Sequence, residues 1–560
     1  MKQDDLYDVV IIGSGAGGGA SAWALCQAGL KVLVLEAGPR FDPAKDYSLH
    51  QANWEQSNFP EPPSSHGRYT FSPLQPLDEK WQDLHSWSHL YGRYNKGTQR
   101  LVGEYHHVRG VGGSTLHFSG EAHRLHPEAM QMHSRFGVAA DWPLSYSELE
   151  PFYAEAERLI GIAGPAQDRQ RPRQTPYPLP PHPKSFASQR LAAGCEQLGL
   201  SWQANSLAIL SQSYDKRPPC NYCGNCARGC PRTDKGSVDV TFMRKALATG
   251  RCTLLTGATV SKLVAGDDDS VKQVLFSDAE GRQQQAQGRL FIVACGAIET
   301  PRLLLNSHSV HAPDGLANES GQVGLNFMET LSWGMNALHP ESLGSHRGVP
   351  ADSICWDFNA PDAIPGVIGG CRFTPNMAEA NLIGPINYAR RVVPGWGRSH
   401  KQTMREQFGR VLSLGAIGEC LPNTKSYIDL DPEAVDQHDQ PLARIHSYLA
   451  KDALQRLRFM TEKGREILEA SGVEKILEQV SSYDHFSSTH VFGTCQMGGA
   501  AEDSVVDVNG RSHRWQNLYV VDASVFPSSG GGESPSLTIQ ALALRTARQI
   551  RARLMQRDLA

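Results

Sequence analysis

No stretch of the 560-residue chain reaches the ~20 consecutive apolar residues that a membrane helix needs. Charge of one sign is also missing, with 54 Lys and Arg against 58 Asp and Glu. That balance, without any basic run, predicts no electrostatic grip of the kind by which nucleic-acid binders hold phosphate. The opening residues MKQDDLYDVVIIGSG contain no twin-arginine pair, and the apolar run Val9 to Ile12 is too short for a signal-peptide core. A cytoplasmic protein is expected, reaching the periplasmic side only by co-export with a partner subunit. There are no internal repeats. Most of the 12 cysteines are scattered singly: Cys26, Cys195, Cys252, Cys295, Cys355, Cys371, Cys420 and Cys495. Such spacing is no disulfide framework and suits a reducing compartment. With 40% apolar and 20% charged residues, the composition is that of an ordinary globular chain. Its length calls for two or more domains, or one large core with an insertion.

The remaining cysteines form the one cluster. In PPCNYCGNCARGCPRTDKG, Cys220, Cys223, Cys226 and Cys230 are spaced C-x2-C-x2-C-x3-C and Pro231 follows. Bacterial ferredoxins hold iron–sulfur clusters with this spacing. Cys220, Cys223 and Cys226 would serve a 3Fe-4S cluster, and Cys230 would complete a 4Fe-4S site. A four-cysteine zinc staple and a loop of unused thiols are the other readings.

Near the N-terminus, YDVVIIGSGAGGGASAWALCQAGLKVLVLEAG sets out several parts in order. A β-branched strand leads into Gly13, Gly15 and Gly18 at G-x-G-x-x-G spacing, then a small-residue helix, then a second strand ending at Glu36. The first glycine permits a tight turn, the second admits a pyrophosphate, and the third lets helix and strand pack closely. A helix N-terminus favours that anion, and a carboxylate about 20 residues on takes ribose hydroxyls. The motif marks a dinucleotide site without choosing between NAD and FAD.

Further segments narrow the choice: VRGVGGSTLHFSGEAHRL from Val108, DWPLSYSELEPFYAEAE from Asp141, FIVACGAIETPRLLLNS from Phe291, HVFGTCQMGG from His490, and NLYVVDASVFPSSGGGESPSLTIQALALRTA from Asn517. Together they resemble the glucose–methanol–choline (GMC) oxidoreductase family from residue 7 almost to the C-terminus, closest to its bacterial sugar and gluconate dehydrogenase and pyranose oxidase-like branch. The resemblance implies an α/β fold in which a discontinuous Rossmann-like FAD-binding domain joins a substrate domain built on an antiparallel β-sheet. The first is expected over 1–42, 99–135, 185–322 and 481–560, carrying the cysteine loop 218–236. The second, with its excursions, is expected over 43–98, 136–184 and 323–480.

The resemblance also assigns residues. Gly112, Gly113 and Ser114 run along the flavin, Val260 meets the adenine, and Asp522 and Ala523 lie near the ribityl chain and pyrophosphate. His117 stands where some members bond the flavin covalently, the alternative being a buried, hydrogen-bonded histidine. His490 is the catalytic base, because imidazole titrates near neutrality and can take a carbinol proton while hydride leaves carbon. The family's second His or Asn is replaced by Ser534, so that Ser534 acts itself, or a water extends it, or Glu533 swings in. Gln496 stands where Arg is frequent.

The expected function is FAD-dependent oxidation of an alcohol group of a sugar, sugar acid or glycoside. Electrons would pass to a protein or quinone acceptor, such as a cytochrome, with the cysteine loop as exit and a small subunit as partner. The alternatives are an oxidase that uses oxygen, or a flavin electron-relay subunit whose alcohol site has lapsed. Gly164 to Pro183 is proline-rich and reads as an extended surface connection. Asp452 to Ser471 has helical apolar spacing and reads as scaffold.

Overall fold

A computed structural model of the chain describes residues 6–47, 49, 54–55, 68–168 and 170–558. Part of the 43–98 excursion therefore lies outside the described residues. The first strand, Tyr7–Ile12, buries Val9, Val10 and Ile11 completely. It does so by pairing in parallel on both sides, with Val32–Glu36 and with the upper half of Gln283–Val293. Strands closed in on both faces read as continuous apolar runs, which is why VVII carries no alternation. Cys252–Thr256 extends one edge in parallel, and Leu518–Val520, from near the C-terminus, extends the other. The 11-residue strand Gln283–Val293 changes partners along its length, because its first half pairs antiparallel with Val271–Ser277. The discontinuous Rossmann-like unit is thus closed by pieces from both ends of the chain.

The second layer is a six-stranded antiparallel sheet in the order Cys371–Pro375, Val411–Gly418, Leu331–Leu338, Lys475–Ser481, Trp87–Ser88 and Gly92–Arg93. Here side chains alternate. Trp333, Met335, Phe373, Leu412 and Leu414 turn to a buried apolar cluster beneath the helix Lys451–Ala470. Ser332, Gly334, Asn336, Arg372 and Thr374 turn the other way, towards a cavity. The two-residue period of a strand makes one face core and the other site. Gly464 in the covering helix is required, since a Cβ there would lie 2.2 Å from the Trp333 ring.

The described part of the 43–98 excursion adds two edge strands to the sheet and buries Trp81 and Leu84 in its core. One expectation is corrected. The described residues of Gly164 to Pro183 form no helix, but the segment is not a surface strap. Its Arg171 is 2% exposed, donates to the Arg124 carbonyl (2.7 Å) and Glu533 Oε1 (2.8 Å), and lies 3.8 Å from the Trp356 ring centre. A guanidinium that finds a carboxylate, a carbonyl and an aromatic face can be buried in a proline-rich segment that composition alone places outside.

Candidate active site

A cavity of about 730 Å³ is walled by both layers. On the parallel-sheet side the wall is largely main chain. Gly13 turns at φ +93, and a Cβ there would sit 2.5 Å from the Ala294 carbonyl oxygen. At Gly15 a Cβ would meet nothing nearer than the Gly113 Cα at 3.8 Å, so the backbone is open to a ligand. The helix Ala16–Gln27 begins there without a side-chain cap or an acidic residue in its first turn. Its orphan N–H groups and dipole are left for an anion. Gly18 stays behind the wall, where a Cβ would come 1.9 Å from the Gly13 oxygen.

Glu36 borders the cavity and is already engaged. Oε2 accepts from the Ser14 amide (3.0 Å) and hydroxyl (2.6 Å), and Oε1 accepts from the Gly38 amide (2.9 Å). Burial pushes its carboxyl upward against those bonds. Three of about four acceptor positions are used, so one remains for a hydroxyl. Asp522 is held by Thr300 Oγ1 (2.6 Å) and the amides of Gly296 and Ser524. Gly113, Ser114, Val260, Asp522 and Ala523 all line the cavity, while Gly112 lies behind it with φ +111.

The two histidines singled out in the sequence share this space. His117 follows the short helical turn Gly113–Leu116, and burial pushes its imidazole down to about 3. His490 is likewise pushed down to about 3, by burial first and then by the Arg372 guanidinium. Its carbonyl is pinned by Thr330 and Ser488, while Nδ1 is buried without a hydrogen-bond partner among the described residues. An orphaned buried nitrogen on a cavity wall is a group that a ligand would satisfy. Ser534 lines the same cavity, and its amide donates to His123 Nδ1 (3.1 Å). His123 therefore carries its proton on Nε2, which donates to Asn205 Oδ1 (2.9 Å).

Glu533 does not swing in. Oε1 is occupied by Arg171 and the His126 amide, and the residue is absent from the cavity wall. Gln496 is no substrate contact either, since it donates to the Pro527 carbonyl at 3.0 Å from within the core.

Sequence reading missed the opposite wall. Arg372 forks between Glu121 Oε2 (2.5 Å), the Gly532 carbonyl (2.9 Å) and Thr374 Oγ1 (2.8 Å). Glu379 also lines the cavity; although the residue is exposed, desolvation by the protein around it and the nearby Glu121 carboxylate push its carboxyl up to about 7. Asn376 lines the wall with Oδ1 unpartnered. These residues lie in a stretch with no local motif; the pleat of the strand Cys371–Pro375 could have pointed to Arg372, whereas Asn376 and Glu379 fall beyond its end.

Of the cysteine loop, only Ala227 reaches the cavity. Cys226 is buried, Cys220 and Cys230 are partly so, and Cys223 is exposed. Cys230 Sγ donates to Asp234 Oδ1 (3.3 Å), and the Tyr222 amide donates to Cys220 Sγ (3.3 Å). Among the described residues no group of three or more His, Cys, Asp or Glu side chains is arranged to hold a metal ion. As they stand, the four thiols do not fit a cluster. The glycine cradle, the uncapped helix and the spare acceptor on Glu36 do fit a dinucleotide such as FAD.

Two models described as GMC oxidoreductase match residues 82–331 and 422–543, and an FAD binding domain matches residues 8–51. The chain is 29% identical to the fructose dehydrogenase large subunit of Gluconobacter japonicus, over 96% of this chain and 97% of that one. It is 28% identical to 2-methyl-1,2-propanediol dehydrogenase of Mycolicibacterium austroafricanum, covering 98% and 96%. To the gluconate 2-dehydrogenase flavoprotein of Pantoea cypripedii it is 27% identical, covering 98% and 94%. Pyridoxine 4-oxidase from Mesorbium loti shares the fold, with a TM-score of 0.63 at 20% identity over 97% of this chain and 99% of that one.

Proposed function

The chain belongs to the GMC oxidoreductase family, and from that premise we propose that it is an FAD-dependent dehydrogenase oxidising an alcohol group of a sugar, sugar acid or glycoside. The observation that carries this reading is the placing of His490 and Ser534 on the cavity that the dinucleotide glycines open onto. FAD, held along Gly13, Gly15, Ser114 and Asp522, supplies the two-electron acceptor for the carbinol hydride. The chain's own part is to bind, orient and deprotonate. Burial and the Arg372 guanidinium favour the neutral form of the His490 imidazole. It is thus free to accept the O–H proton, a role that contributes ~10²–10⁴-fold. Ser534 Oγ hydrogen-bonds the same oxygen and fixes its direction, with its backbone anchored on His123. Asn376 and Glu379 offer acceptors to neighbouring hydroxyls, while Arg372 is neutralised by Glu121.

The reading extends to electron exit towards a protein or quinone acceptor, with a small subunit as partner. The ferredoxin spacing of the cysteines and the place of Ala227 on the cavity wall support it. Closure of the loop around iron would require the thiols to leave Asp234 and the Tyr222 amide. A visible spectrum with iron analysis of the purified protein decides this, and an iron-free yellow protein removes the cluster. Anaerobic bleaching of the flavin by sugars or alcohols tests the activity. Peroxide formed in air would instead make the protein an oxidase, and a flavin that no carbinol bleaches would make it a relay subunit.

A further inference from the structure

Lys235 has no part in the chemistry above, yet it is 1% exposed. Lysine is almost never so buried unless its ammonium is satisfied. Here each of its three N–H donors has an acceptor, and all three acceptors are main-chain carbonyls: Leu116 at 2.9 Å, Phe118 at 3.1 Å and Cys226 at 2.6 Å. Its Nζ also lies 5.2 Å from the centre of the Phe118 ring. Leu116 and Phe118 are the chain neighbours of His117, and Cys226 is the third cysteine of the loop. One ammonium therefore grips the backbone on either side of the cavity histidine and binds it to the cysteine loop.

Two further contacts run the same way. The Val238 amide donates to Thr115 Oγ1 at 3.0 Å. Gly112 turns at φ +111 directly against the next residue, where a Cβ would come 3.2 Å from the Asp239 amide nitrogen. The arm that leaves the cysteine loop, residues 235–239, is thus the bed on which the segment 112–118 lies. A methionine or leucine would fill the volume of Lys235 without burying a charge. What either would lose is the set of three directed bonds.

We propose that Lys235 is a positioning residue that sets the place of His117 in the cavity and transmits displacement of the cysteine loop to the bound flavin. The inference rests on the flavin reading of the cavity, but not on any metal in the loop, because the tie is made through the carbonyl of Cys226 and not its sulfur.

The test uses the full chain purified with its FAD and compares wild type with Lys235→Met. In wild type, alkylation of Cys223, the one exposed cysteine, with N-ethylmaleimide should change the visible circular dichroism of the flavin. In Lys235→Met the unmodified protein should already show an altered flavin signal, and alkylation should add nothing to it. Peptide mapping should also show Cys226 modified about tenfold faster than in wild type, the order expected when one hydrogen-bonded tie is lost. A melting temperature that falls while flavin dichroism and Cys226 protection stay as in wild type would overturn the proposal. Should Lys235→Met not fold, the wild-type experiment still decides, since a flavin signal indifferent to Cys223 alkylation also overturns it. Failure of the underlying functional reading looks different: wild type then binds no FAD, and the Cys226 mapping still reads the tie.

Discussion

On one side of the cavity the wall is main chain, with Gly13, Gly15 and Gly113 presenting backbone to the ligand. On the other it is side chain, with Arg372 and Thr374 projecting from one antiparallel sheet and Asn376 and Glu379 following beyond the strand's end. The first wall works by what it lacks, since a Cβ would strike neighbouring main chain at Gly13 and Gly113 and enter the ligand's space at Gly15. The second works by what it carries, a charge and hydrogen-bond pattern that other side chains could replace. Loss of a glycine should therefore harm cofactor binding and folding. Loss of a polar residue opposite should alter rate, pH response or substrate preference while the yellow protein survives.

The sharpest contrast is expected at His490. His490→Ala should lower the rate of anaerobic flavin reduction by ~10²–10⁴-fold with FAD content unchanged. Stopped-flow absorbance reads both quantities, and near-normal reduction would remove His490 from the chemistry. Gly17→Ala should behave in the opposite way. Its Cβ would lie 1.6 Å from the Val521 oxygen, so the helix must shift, at a cost of roughly 1–3 kcal/mol of overpacking. FAD retention and thermal melting should fall together, and a variant that keeps both would show the backbone wall to be softer than its geometry.

A narrower probe is Glu379. Although the residue is exposed, desolvation by its protein surroundings and the Glu121 carboxylate push its carboxyl up to about 7, so it loses its proton as pH rises through neutrality. Arg372 opposes the shift and Ser119 donates to it; His490 and His117, across the cavity, are neutral there. The pH profile of kcat/KM should show a limb near 7 in wild type that is absent in Glu379→Gln. An identical limb in both would assign it elsewhere.

The smallest effect is one of stability, behind the second wall. Glu419 is 1% exposed, and burial pushes it up to about 7, Glu533 adding to the shift while Arg456 and the main chain of Gly370 and Gly530 oppose it. The folded chain thus keeps a proton that the unfolded chain releases near the ordinary value of 4.5. That contribution is complete below 4.5 and is lost as pH rises through 7. Glu419→Gln should accordingly stabilise the protein by roughly 1–3 kcal/mol at pH 8 and hardly at all at pH 4. Urea titrations at the two pH values measure it, and equal effects at both would contradict the shift.

The two walls also differ in how far they could be read beforehand. Gly13, Gly15 and Glu36 sit within one strand–turn–helix–strand unit, where chain neighbours are space neighbours and the motif is legible. His490 and Asp522 became legible through family resemblance, each inside a short distinctive run. Arg372, Asn376 and Glu379 gave no such sign. Arg171 was misplaced because its proline-rich surroundings describe a surface strap, whereas its partners Glu533 and Asn359 come from remote parts of the chain.

By itself the sequence determined the parallel strands, the glycine turn and its uncapped helix, and the amphipathic scaffold helix Lys451–Ala470, because each depends on residues a few positions apart. Only the tertiary structure decided which polar groups share the cavity, that Glu533 is held away from it, and that Lys235 joins the cysteine loop to His117. Those outcomes turn on burial and on hydrogen bonds between residues up to hundreds of positions apart, and neither is written in any local stretch of chain.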